Sequence, residues 1–137
     1  MSGSAIIREL LATHLPLTSI VTASKIRVGN IPQEMSKQLP AISVRPVSSN
    51  ENWTTARNLR TKMIRERVQV TVFANDFVLM ERALKAASLG RGVHTGMVKG
   101  FRVCSVMPES VNPYFGPDYD NIHEQSRDFM VTFIEAN

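Results

Sequence analysis

Between Arg65 and Ala87 the apolar residues change period, and that change constrains the fold more than any other feature of the chain. From Arg65 to Ala74 the sequence alternates. Val68, Val70 and Val72 fall on one side, and Arg65, Arg67, Gln69 and Thr71 on the other. Alternation with β-branched residues predicts a strand that buries one face. From Phe77 the spacing is helical, with Phe77, Met80, Leu84 and Ala87 on one stripe and Glu81, Arg82 and Lys85 beside it. Asp76 stands where an N-cap belongs, and a carboxylate there can accept from the free N–H groups of the first turn. With so short a turn between them, the helix must fold back over the valine face, because neither apolar surface is stable alone in water.

On the N-terminal side, Ser4 to Leu15 predicts a helix, with Ile6, Ile7, Leu10, Leu11 and Leu15 on its apolar stripe and Ser4 as N-cap. Pro16 ends that helix or opens the next turn. Lys25 to Val28 predicts a short strand stopped by Gly29-Asn30, and Ile31 to Leu39 a loop. Pro40 to Val47 alternates again, and Pro46 marks an edge or a bulge. The polar run Ser48–Asn52 and the aperiodic segment Trp53–Lys62 predict a long hairpin loop across Asn50–Thr61. Gly90-Arg91-Gly92 predicts the C-cap of the second helix. Phe101 to Met107 reads as a strand stopped by Pro108, and Asn112 to Asp120 as an aromatic, turn-rich loop. Ile122 to Ile134 reads as the last strand, with Phe129, Val131 and Phe133 on one face. The expected fold is α+β: a mostly antiparallel sheet of about four to five strands with two helices packed on one face and a long hairpin loop. The opposite face, with Arg65, Arg67, Gln69 and Thr71, is either wet or covered by a partner.

The 137 residues predict a single domain, 1–137. A chain of that length buries about 70% of its unfolded surface, enough for its own core. With 43% hydrophobic and 20% charged residues, the composition is that of a soluble globular domain. No apolar run approaches a membrane span, so no membrane partner is expected. No basic stretch precedes the first apolar residues, so no signal peptide is expected. The single Cys104 excludes a disulfide within the chain and fits a reducing compartment. The net charge of +4 is compatible with nucleic acid nearby but does not require it.

No catalytic constellation emerges. His14, His94 and His123 lack metal-spaced partners, and Cys104 sits inside a strand pattern, so neither a metal site, a thiol nucleophile nor a cofactor is expected. Gly90 to Gly96 has the glycines of a phosphate-binding loop in the wrong place. Such loops follow a strand and open a helix, whereas this one follows a helix. Asn52-Trp53-Thr54 matches a glycosylation sequon, which means nothing without secretion. Glu109, Asp118, Asp120 and Glu124 lie near the second long loop and read as solvated loop charge. What remains is the basic run Arg57, Arg60, Lys62, Arg65 and Arg67 behind Trp53. Basic charge beside an aromatic serves nucleic-acid binding in some modules. No aromatic pair lines the central strand as in an RNA-recognition sheet, so a subunit interface is the better reading. Trp and Arg are also the residues most often found at interface hot spots. The candidate interface residues are Trp53, Arg57, Leu59, Arg60, Arg65 and Arg67, with Tyr114 and Phe115 from the second long loop.

Leu39-Pro40-Ala41-Ile42-Ser43-Val44, then Arg67-Val68-Gln69-Val70-Thr71-Val72-Phe73-Ala74 running into a helix, and finally Arg127-Asp128-Phe129-Met130-Val131, form a pattern that covers nearly the whole chain. It resembles the tail-completion family of long-tailed bacteriophages, also called tail terminators or tail-to-head joining proteins. The matching segments are packing residues, not a catalytic signature. The resemblance implies a homo-oligomeric ring, commonly a hexamer, in the virion at the head-proximal end of the tail tube. Such a ring stops tube polymerisation and meets the tail-tube protein on one side and head-completion or neck proteins on the other. DNA would pass through its lumen without sequence-specific contacts.

Three functions therefore stand after the sequence alone. The first is a structural virion protein assembled in the host cytoplasm. The second is a basic α+β nucleic-acid-binding module. The third is a small enzyme subunit whose site forms between chains, which would show a deep polar pocket with shifted titrations.

Overall fold

The computed structural model describes residues 2–29, 39–52, 61–89, 95–117 and 121–136. In chain order the elements are α1 (Ser2–Ala12), α2 (Leu15–Thr18), a 3-10 turn at Ala23–Lys25, β1 (Ile26–Val28), β2 (Ala41–Asn52), β3 (Thr61–Ala74), α3 (Phe77–Ala86), β4 (Gly96–Val98), β5 (Phe101–Val111) and β6 (His123–Ala136). The strands form one six-stranded sheet in the order β1-β2-β3-β6-β5-β4. β1 runs parallel to β2, and every other pair is antiparallel.

β3 has the longest register of any strand, pairing with β6 from Thr61 opposite Ala136 to Ala74 opposite His123. Ile64, Val68, Val70, Val72 and Ala74 on one face of it are buried. Phe129, Val131 and Phe133 of β6 continue that face. Ile6, Ile7 and Leu11 of α1 and Met80, Ala83 and Leu84 of α3 cover it, in one cluster that Leu10 borders. The Phe101 and Phe133 rings meet edge to face at 5.6 Å. Each fully buried aliphatic or phenyl side chain contributes about 1.5–3 kcal/mol, which makes this face the main source of stability.

Several details differ from the sequence expectations, each for a local reason. The sheet is mixed and has six strands, because the brief β4 has no periodicity to reveal it and β1 pairs parallel rather than antiparallel. β2 continues through the polar run to Asn52, since the backbone ladder to β3 needs no apolar side chain there. Pro46 sits at a register shift between Pro46 and Ser48, beyond the last residue that β1 pairs. β5 passes through Pro108 to Val111 with an irregular register, as an edge-facing proline allows. The first helix breaks before His14, and Pro16 falls in the first turn of α2. Leu15 therefore leaves the apolar stripe and is 79% exposed. Asp76 occupies the N-cap of α3, where its carbonyl accepts from Met80 N–H at 3.0 Å, but its side chain makes no capping bond. α3 ends at Ala86 and Leu89 takes a left-handed φ of 59°; the predicted glycine cap at 90–92 lies outside the described residues.

Ser4 is not a cap. It lies inside α1 and is buried. The N-terminus of α1 is instead held from the core face of β3 by Glu66, which is 3% exposed. Its carboxylate accepts the Gly3 N–H at 3.0 Å and faces the Ser49 hydroxyl at 3.4 Å. A carboxylate at a helix N-terminus meets both an unpaired donor and the positive end of the helix dipole. Further along that helix, Arg8 donates to the carbonyls of Ala23 and Ile26, tying α1 to the 3-10 turn and β1.

Candidate interaction surface

The sheet face away from α1 and α3 is built from the odd-numbered residues of β3 and the even-numbered residues of β6. Cross-strand rows set its chemistry. Met63 faces Ile134, Arg65 faces Thr132, Arg67 faces Met130, Gln69 faces Asp128, and Thr71 faces Ser126. One end is thus apolar with arginine, and the other is polar. Met63 and Met107 are exposed on the former.

The polar end is cross-linked by side chains. Arg67 Nη1 bridges Glu109 Oε2 at 2.5 Å and Asp128 Oδ2 at 3.4 Å. Asn112 Nδ2 donates to Ser126 Oγ at 2.8 Å and reaches Asp128 Oδ1 at 3.4 Å. Gln69 Nε2 approaches the same Ser126 hydroxyl at 3.4 Å. Asn112 N–H also donates to the Ser126 carbonyl, and its own carbonyl accepts from Gln125 Nε2, both at 2.9 Å. The strand face and the base of the 112–117 loop are therefore one network. Thr71, opposite Ser126, is buried, although the alternation places it on the open face.

The loop itself is pinned by aromatics. Tyr114 packs against Phe77 at the start of α3 with ring centroids 5.0 Å apart, and its hydroxyl hydrogen-bonds His123 Nδ1. The Tyr114 and His123 rings are nearly parallel, 18° apart. The next residue, Phe115, is 90% exposed. It forms one wall of an open hollow of about 400 Å³, whose floor includes Gln69, Thr71 and Ser126 and whose rim includes Arg45 and Glu124.

The predicted interface residues thus have different fates. Trp53, Arg57, Leu59 and Arg60 lie outside the described residues. Arg65 is exposed on the open face. Arg67 is half-buried and neutralised by two carboxylates. Tyr114 is a half-buried anchor that borders the core, while Phe115 stands in solvent. Arg65 and Phe115 do not share one patch, because Phe115 borders Ser126 while Arg65 lies opposite Thr132, further along β6. Glu109, read from the sequence as solvated loop charge, instead lies on β5 and pairs with Arg67, and the sequence reading missed Asn112, Ser126 and Asp128. The alternation of Ser126 and Asp128 with Phe129 and Val131 was the available signal, since it places those polar groups opposite the core.

Among the described residues no group of histidine, cysteine, aspartate or glutamate could hold a metal ion. Among them, too, no helix is long and apolar enough to cross a membrane.

No family model and no curated protein matches the sequence. A fold comparison does find a likeness. A chain in the solved structure of the virion of a native gene transfer agent particle superimposes with a TM-score of 0.74. The match covers 96% of this chain and 94% of that one, at 11% sequence identity. At that identity the likeness establishes a shared fold across nearly the whole of both chains.

Proposed function

We propose that this chain is a structural, non-enzymatic virion protein that forms a ring, a hexamer by resemblance, at the head-proximal end of a phage tail tube. There it terminates tube polymerisation and joins the tail to head-completion proteins. The observation that carries the reading is the end-to-end fold likeness to a chain of a gene transfer agent virion. The tail-completion pattern of the Leu39–Val44 and Arg67–Ala74 segments supports it independently. The site geometry fits an assembly protein as well. It offers an exposed aromatic on a pinned loop and a sheet face of methionine and arginine. Surfaces of that composition suit macromolecular contacts.

The basic nucleic-acid module is the competing function. It loses support because Arg67, the last residue of the predicted basic run, is held by Glu109 and Asp128 and is not free to meet phosphate. Electron microscopy of the chain mixed with tail-tube protein tests the reading. Expected are rings capping one end of tubes of limited length. Tubes that keep growing without caps would sink it.

A further inference from the structure

Two leftover features of the surface match each other. The first is Phe115, presented by a loop that is already fixed by Tyr114 and by the Asn112 hydrogen bonds. Glu124, exposed, lines the same hollow beside it. The second is a hollow of about 410 Å³ at the β4–β5 edge, lined by Met97, Val103 and Cys104 with exposed Arg102 among its walls. Met97, 68% exposed, borders it. One feature is an aromatic knob beside a carboxylate. The other is an apolar hollow beside a guanidinium.

They cannot meet within one chain. Phe115 borders Glu124 to Ser126 at the start of β6, whereas Arg102 lies opposite Ile134 near its end. At the rise of an extended strand those positions are roughly 26–33 Å apart.

We propose that Phe115 of one copy docks into the Met97–Val103–Cys104 hollow of the next copy, with Glu124 of the first facing Arg102 of the second. The proposal rests on the ring reading and names the contact that builds the ring. Because knob and hollow are different patches, the contact is heterologous, and repeated head to tail it closes into a ring where its rotation allows. Pre-organisation of the loop means that little freedom is lost on docking. The ion pair fixes register and disfavours a knob-on-knob contact, where Glu124 would face Glu124.

The test uses the full chain with p-benzoylphenylalanine in place of Phe115, which keeps an aryl group at the knob. The protein is irradiated with and without tail-tube protein, and assembly is followed by sedimentation and electron microscopy. Expected are covalent ladders whose cross-linked peptide spans Met97 to Cys104 of another copy. In parallel, Glu124→Arg and Arg102→Glu should each weaken self-association at least tenfold, and the double variant should recover most of that loss. Rings that form while cross-links map elsewhere, or single reversals that leave association unchanged, overturn the docking but leave the ring reading standing. A chain that forms no ring at any concentration, with or without tube protein, overturns the ring reading and the docking with it.

Discussion

Glu66 shows how much a single residue can carry. It lies on the core face of β3, among valines, yet it carries a polar carboxyl group. Its partner is the N-terminus of α1, through Gly3 N–H, so one side chain joins the first helix to the central strand. Glu66→Ala removes the acceptor and leaves a buried donor, and it should lower stability by about 1–3 kcal/mol. Glu66→Gln keeps an oxygen that can accept the Gly3 N–H and should lose less. Gly3 is part of the same device, since a Cβ there would overlap the Glu66 carboxylate. Gly3→Ala should therefore destabilise the wild type but become near neutral in the Glu66→Ala background. That inversion is read from urea midpoints in a double-mutant cycle. Additive effects would show that the carboxylate does not seat the helix.

At the scale of elements, the strand and helix around Asn75 were legible because their periods are clean and burial enforces them. Met80 and Leu84 lie where the helical stripe places them, under the valine face of β3. Leu84→Ala should cost about 2–5 kcal/mol in chemical denaturation. A loss of a few tenths would mean that α3 does not cover the sheet. What stayed hidden was structure made by backbone pairing rather than side-chain period. Ser48 to Asn52 looks like loop but extends a ladder, and Gly96 to Val98 is too short to show alternation. The open-face network was hidden for a different reason. Asn112 and Asp128 are distant in sequence, and only the antiparallel register of β5 and β6 brings them together. The 112–117 loop follows the same logic, because its anchor Tyr114 depends on Phe77 from another element. Tyr114→Ala removes an aromatic contact worth about 0.5–1.5 kcal/mol. It should lower hydrogen-exchange protection at the Asn112 amide by about tenfold while global stability changes little. Unchanged protection would assign the loop's order to the Asn112–Ser126 bonds alone.

For the molecule as a whole, the question that separates the two leading functions is how it meets DNA. The net charge of +4 gives a weak field, and the described open face dilutes it further. Glu109, Asp128 and Glu124 stand on or beside that face, Arg67 is occupied by two of them, and elsewhere Lys99 lies 3.8 Å from Glu9. Lysine and arginine act on a duplex through released counterions, so affinity depends on how many cations reach phosphates at once. A face with intermingled signs reaches few. In a closed ring, DNA threading the lumen would see the basic residues only across a screened gap, with a Debye length of about 8 Å at physiological salt. The expected result in fluorescence anisotropy is a Kd for free duplex no tighter than about 10⁻⁵ M at physiological salt, independent of sequence. Raising the salt should abolish it, and Arg65→Ala, which removes an unobstructed open-face cation, should weaken it further without affecting stability. Binding in the nanomolar range with sequence preference would reverse the order of the two functions. It would mean that the basic run behind Trp53 is a nucleic-acid surface, and that the shared virion fold has been put to another use.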